Sequence, residues 1–224
     1  MALDVDCYGD DTHGQAADHL QGDAVGVAAA RDLTCFLLAS GDVGCQGRSD
    51  TGADAPYLGG DAVEVATSGR HTCVRLTSGD VRCWGSDLHG QRVQHTGGDA
   101  VAVATGSLHT CILLASGNVD CHGADPDGYG YAADHEGGDA VAVAAGTSFT
   151  CFLLASGNTR CQGHDGAFGN GAARGYLGGD AVAMSAGRDH VCMVLASGSV
   201  ECHGHDSFGQ AARYDALGIS PLLA

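Results

Sequence analysis

Residues 109–123 read HTCILLASGNVDCHG, with Cys111 and Cys121 ten positions apart around a small A-S-G centre at residues 115–117. The same ten-residue spacing recurs at Cys35/Cys45, Cys73/Cys83, Cys151/Cys161 and Cys192/Cys202. A second phrase, G-D-A-V, begins at Gly22, Gly60, Gly98, Gly138 and Gly179, always 13 residues before the first cysteine. From each second cysteine to the next G-D the chain runs 15, 15, 17 and 18 residues. Each unit is therefore a fixed 23-residue block plus one elastic segment, with a period of 38, 38, 40 and 41. Length variation confined to one segment marks a surface loop.

Within the block, DAVAVAAG (139–146) sets Val141 and Val143 against Ala140, Ala142 and Ala144. That period of two predicts a strand. Both faces are apolar, one large and one small, so the strand is expected to be covered on both sides, as in stacked sheets. TCILLAS and NVDCHG read as two further strands. Gly117 supplies the left-handed residue that a three-residue hairpin with a G1 bulge requires. Counting outward from that turn, Leu114 faces Asn118 and Cys111 faces Cys121. The cysteines then occupy a non-hydrogen-bonded pair, where side chains come closest. The expected state is a disulfide in each unit: Cys35–Cys45, Cys73–Cys83, Cys111–Cys121, Cys151–Cys161 and Cys192–Cys202. Each closes a short loop worth about 2–3 kcal/mol in the chain-entropy account. The alternative is a pair of reduced, buried thiols acting as small hydrophobes. Zinc fits less well, because structural sites use closely spaced C-x₂₋₄-C pairs, and no metal is expected. Cys7, the eleventh cysteine, is left over as a free thiol or an intermolecular bridge.

Composition narrows the function. There are 27 acidic residues, only three of them Glu, against ten Arg and no Lys, for a net charge of −17. Such a chain repels a phosphate backbone, so nucleic acid is not an expected partner. No apolar run approaches the ~18 residues a membrane helix needs, so no membrane is expected either. MALDVDCYGD at the N-terminus shows no basic and apolar signal-peptide pattern. The cysteine pairs nevertheless lean towards an oxidising compartment, so the localisation stays open.

Repeats of about 40 residues, each of three or four strands, point to an all-β fold, a β-propeller of about six blades with the last incomplete. A β-solenoid is the runner-up, but its strands form no hairpin within each repeat. The chain reads as a single repeat domain over 1–224, with units at approximately 7–44, 45–82, 83–120, 121–160 and 161–201 and a partial unit at 202–224. Cys7 supplies a sixth C-x-G strand. The sixth G-D-A-V equivalent is GISPLLA (218–224), so the strand that should pair with VDCYG at the N-terminus is expected to be missing. Open blade edges then allow self-association.

The stretch VATSGRHTCVRLTSGDVRCWGSDLHGQ (65–91) resembles the regulator of chromosome condensation repeat. The residues that carry the resemblance are Gly69, His71, Thr72, Leu76, Gly79, Val81, Trp84, Gly85, Gly90 and Gln91. It implies a propeller, usually seven-bladed, acting as a protein-binding platform. The family includes a nucleotide exchange factor for a small GTPase, and a bacterial relative inhibits β-lactamases. Several positions depart from the pattern. The Trp of W-G is kept only at Trp84 and is otherwise Tyr8, Gln46, His122, Gln162 or His203, while the His of H-T becomes Leu33 and Phe149.

Candidate sites are few. His71, His109 and His190 recur at one repeat position and are expected to bond backbone within their own blades, although a ring of imidazoles that binds metal or titrates is the alternative. His164-Asp165 and His205-Asp206 form H-D pairs, and DPDGYG (125–130) resembles a fragment of a calcium loop without its distal Glu. No nucleophile elbow, phosphate-binding glycine loop or paired His/Glu motif is present, so no catalytic residue and no cofactor are expected. The binding candidates are the aromatics of the elastic segments: Tyr57, Tyr129, Tyr131, Phe168, Tyr176, Phe208 and Tyr214. Aromatics are favoured interface anchors, though Tyr129, Phe168 and Phe208 directly precede a glycine and fit equally well between blades. The expected function is a non-enzymatic protein-interaction scaffold, with a basic protein as the favoured partner. The alternative is a secreted inhibitory or sugar-binding module. A guanine-nucleotide exchange factor fits less well, because no unit carries a long inserted hairpin.

Overall fold

The computed structural model describes residues 3–124, 132–163 and 175–205, and all their regular structure is strand. These strands form five antiparallel sheets, one per repeat. The first contains β1 (Leu3–Val5), β2 (His19–Ala29), β3 (Leu33–Leu38) and β4 (Val43–Gly47), and the second β5 (Ala62–Thr67), β6 (His71–Leu76), β7 (Val81–Gly85) and β8 (Gln94–His95). The third contains β9 (Ala100–Thr105), β10 (His109–Leu114) and β11 (Val119–Gly123). The fourth contains β12 (Ala140–Ala145), β13 (Phe149–Leu154) and β14 (Thr159–Gly163), and the fifth β15 (Ala181–Ala186), β16 (His190–Leu195) and β17 (Val200–Gly204).

The G-D-A-V phrase becomes the first strand of each blade, the first cysteine lies in the second strand, and C-x-G forms the third. The hairpin register is as the spacing predicts, with Cys111 opposite Cys121 and Leu113 opposite Val119. All five cysteine pairs are joined, with Cα atoms 4.0–4.1 Å apart. First strands of successive blades touch one another in the order β2, β5, β9, β12, β15. All five line one axial cavity of ≈ 300 Å³. The first strand is therefore innermost, and the blades radiate from it as in a propeller. Ala28, Ala66, Ala104, Ala144 and Ser185 occupy equivalent positions on the cavity wall. Their small side chains let five backbones converge. The sheets remain open, since none closes on itself.

The core lies between blades. Leu33, Cys35, Leu37 and Val43 of the first blade pack with Ala62, Val74 and Leu76 of the second. Cys111, Leu113 and Val119 meet Ala140 and Phe152 across the next-but-one seam. One blade cannot cover its own faces, so neighbouring copies must. Polar seams run alongside. The Thr34, Thr72 and Thr110 hydroxyls donate to the Gln15, Ala53 and Gln91 carbonyls at 2.8, 2.7 and 2.8 Å, each 19 residues earlier in the chain. Trp84 Nε1 donates to Ala53 O at 3.2 Å. Where the sequence replaces Trp by Gln, the Gln46 and Gln162 amides donate to Ala17 O and Ala133 O. The substitution keeps the cross-blade donor. The hairpin turns pack backbone to backbone: Gly117 has φ +80°, and a Cβ there would lie 2.4 Å from Gly138 O.

Two expectations need correction. The first strand does not alternate evenly, because the register slips between Ala140 and Ala142 and leaves Val141 unpaired. Val141 is 55% exposed, so the strand is not covered on both sides at that point. The predicted pairing of His71 and His109 with backbone of their own blades is also replaced, by the cross-blade contacts described below. At the N-terminus, β1 pairs with β2 through Val5 and His19, just as Val43 bridges Tyr57. β1 is thus the third strand of a further blade, with Cys7 in the position of Cys45 and without a sulfur partner. Among the described residues no second strand lies on its other edge. GISPLLA and the rest of the last partial unit beyond residue 205 lie outside the described residues.

Candidate functional site

Strand direction gives the propeller two unlike ends. Each third strand runs away from its A-S-G turn towards the elastic segment. The elastic segments therefore gather at one end, the loop face, together with the connections between first and second strands. The A-S-G turns and the G-G-D crossovers into the next blade gather at the other end, the turn face. Backbone bonds tie these two kinds of segment together, as from Ala115 N to Asp99 O and Ala140 N to Gly117 O, at 2.8 and 3.0 Å.

On the loop face the G-Q phrase is structural. Gln91 is fully buried, accepts from His89 N at 2.9 Å and donates to Ser86 Oγ at 3.2 Å. Of the aromatic binding candidates, Tyr129, Tyr131, Phe168, Phe208 and Tyr214 lie outside the described residues, as do DPDGYG, His164, Asp165 and Asp206. Tyr57 and Tyr176 lie where the elastic segment has already returned to the turn face. Both are partly buried and donate through their hydroxyls to Asp61 and Asp180. Tyr57 also stacks against Trp84 with centroids 6.2 Å apart. Burial, and then the Asp61 carboxylate, push the Tyr57 phenol above its ordinary pKa.

These tyrosines belong to a recurring dyad that the sequence analysis missed. His19, His95 and His135 take the same position and contact Asp23, Asp99 and Asp139 through Nε2 at 2.6, 2.7 and 2.7 Å. The signal was legible as [HY]-x-x-x-D ending in G-D, five times over. The aspartates are those of G-D-A-V. Just inside them, the valine of the same phrase is the bulged residue of every blade: Val25, Val63, Val101, Val141 and Val182. Each is 40–60% exposed. Leu20, Leu58 and Leu177, in the crossovers of the same face, are 65%, 77% and 85% exposed. Eight of the thirteen exposed large apolar side chains among the described residues thus share this face.

The turn face is also acidic. The crossovers (19–24, 57–62, 95–100, 135–140, 176–181) and turns (39–42, 77–80, 115–118, 155–158, 196–199) hold eight carboxylates and no arginine. Arg31, Arg48, Arg70, Arg92 and Arg188 lie in the segments of the loop face.

Two of the recurring histidines, His71 and His109, are buried between blades. His71 Nε2 lies 2.7 Å from Thr110 Oγ1 of the next blade, and His109 Nε2 lies 2.8 Å from Thr150 Oγ1. Thr110 gives its one hydroxyl hydrogen to Gln91 O, so His71 donates through Nε2–H. Its Nδ1 faces Ser68 Oγ at 3.2 Å. Both rings are fully buried. Desolvation lowers each pKa from 6.5 to about 4, and for His109 the neighbouring His71 adds to the effect. These rings are neutral structural links. Among the described residues, no group of three or more His, Cys, Asp or Glu is arranged to hold a metal.

No curated protein matches the chain by sequence. Residues 62–91 match the model of the "Regulator of chromosome condensation (RCC1) repeat". Among solved structures, the chain is similar to the CRINKLY WD40 ectodomain of the receptor kinase ACR4 from Arabidopsis thaliana, with TM-score 0.65 and 22% identity over 89% of this chain and 72% of that one. The ectodomain of the receptor kinase CR4 from Physcomitrella patens gives TM-score 0.65 and 23% identity over 81% and 53%. Prp20p from Saccharomyces cerevisiae, described with its binding properties to Gsp1p and histones, gives 0.62 and 17% over 81% and 58%. The chain spans little more than half the length of the last two, and at these identities the likeness is one of fold. The unit matched at residues 62–91 is repeated strand for strand in the described blades, and the fold is similar to that of RCC1-repeat β-propellers.

Proposed function

We propose that the chain is a non-enzymatic protein-interaction scaffold that binds through inter-strand segments on one face. The observation that carries this reading is the turn face itself, where equivalent segments of five blades bring exposed valines and leucines beside a field of carboxylates. Exposed apolar side chains concentrated on one face mark interaction surfaces. The disulfides favour an oxidising compartment as the place of action. The aromatics Tyr129, Tyr131, Phe168, Phe208 and Tyr214 remain proposed contributors. The test is retention of purified basic proteins on the immobilised chain at low salt. Retention of several, weakened by salt, supports the scaffold, and retention of none overturns it.

The five disulfides also suit a second reading, an extracellular inhibitory or sugar-binding module. Binding to a glycan panel in place of proteins would favour it. Unchanged nucleotide release from small GTPases would exclude the exchange-factor reading.

A further inference from the structure

The valine of G-D-A-V is unexplained by folding. A strand that simply alternated would turn Val141 with Val143, yet a β-bulge takes the valine out of the ladder in all five blades. Bulges re-aim side chains and recur beside functional sites. Here each bulge turns a β-branched apolar side chain towards solvent at the same end of the innermost strand. Because the innermost strands pack side by side around one axis, the five valines form an arc at the turn-face end of those strands.

Resting on the scaffold reading, we propose that this arc is the docking surface for a cationic protein segment that presents an apolar side chain, Arg or Lys residues flanking a Leu, Ile or Phe. Charge complementarity selects the occupant. Eight carboxylates and no arginine lie in the turns and crossovers beside the arc. An acidic segment is repelled, and so is a second copy of this face-bearing chain, whose net charge is −17. A purely polar cation would leave the valines exposed, and an uncharged apolar ligand would leave the carboxylates unmatched. The apolar tip supplies burial, and the flanking cations supply orientation and a fast, salt-sensitive approach.

The test uses two labelled peptides, Arg-Leu-Arg-Leu-Arg and Arg-Gly-Arg-Gly-Arg, with binding read by fluorescence anisotropy at 50 and 200 mM salt. The variants are Val63→Ser/Val141→Ser and Asp42→Asn/Asp80→Asn. The second pair copies Asn118 and Asn158, which hold the same turn position in other units, and melting curves check that both variants fold. The leucine peptide is expected to bind at least tenfold tighter than the glycine peptide. The valine variant should lose that preference and keep the glycine peptide's affinity. The aspartate variant should weaken both peptides several-fold and flatten their salt dependence. Equal binding of the two peptides, or an unchanged preference in the valine variant, overturns the docking surface. If basic proteins are still retained in that case, the scaffold reading survives and its site lies elsewhere. If nothing basic is retained, both fall.

Discussion

The seam histidines make stability fall with acid in a calculable way. His71 and His109 are fully buried, and desolvation holds each near a pKa of about 4, against 6.5 when unfolded. Between these values the unfolded chain takes up a proton that the folded chain refuses, so stability is present above about pH 6.5 and is lost as pH falls towards 4. At pH 5 the linkage amounts to about 2 kcal/mol for each ring, and about 4 kcal/mol for the pair. The perturbation is already written in the repeat, where Phe149 and Leu33 stand in place of His. Phe149 packs over Gly146 much as His109 packs over Gly106. The variant His109→Phe therefore keeps the packing and removes one titration. Its loss of Tm between pH 7 and pH 5 should be smaller than the wild type's by about 4–8 °C, at roughly 2–4 °C per kcal/mol for a chain of this size. His71→Leu/His109→Phe should reduce the loss about twice as much. Calorimetry or thermal circular dichroism at the two pH values measures the difference. A double variant whose Tm falls with pH as steeply as the wild type's would refute the linkage.

Three further outcomes follow from the packing. Gly117→Ala forces an L-residue to φ +80° and a Cβ to within 2.4 Å of Gly138 O, so it should cost at least about 2 kcal/mol by denaturant titration. Trp84→Gln should be milder than Trp84→Ala by about 1 kcal/mol, because an amide can still donate to Ala53 O as Gln46 does to Ala17 O. Alkylation without reductant should label only Cys7. That labelling should be slow at neutral pH and quicken with Asp18→Asn, since burial and then Asp18 raise the thiol's pKa. Labelling at many cysteines would mean that the hairpin disulfides are absent.

The repeat spacing determined the blades, because local rules set a hairpin. A three-residue turn ending in glycine leaves one register, and that register puts Cys111 opposite Cys121. The fold class and the leftover Cys7 follow from the same counting. Other features depended on contacts between residues about 40 apart, which no local pattern encodes. Val141 looked like one step of an alternating strand, and only the mismatch between β12 and β13 shows it as a bulge. His71 looked like a partner for its own backbone, but a neighbouring blade brings Thr110 within 2.7 Å. The acidity of the turn face was present in the sequence as scattered Asp. It became a site only when the strand directions sent turns and elastic segments to opposite faces, and the converging inner strands drew five valines around one axis.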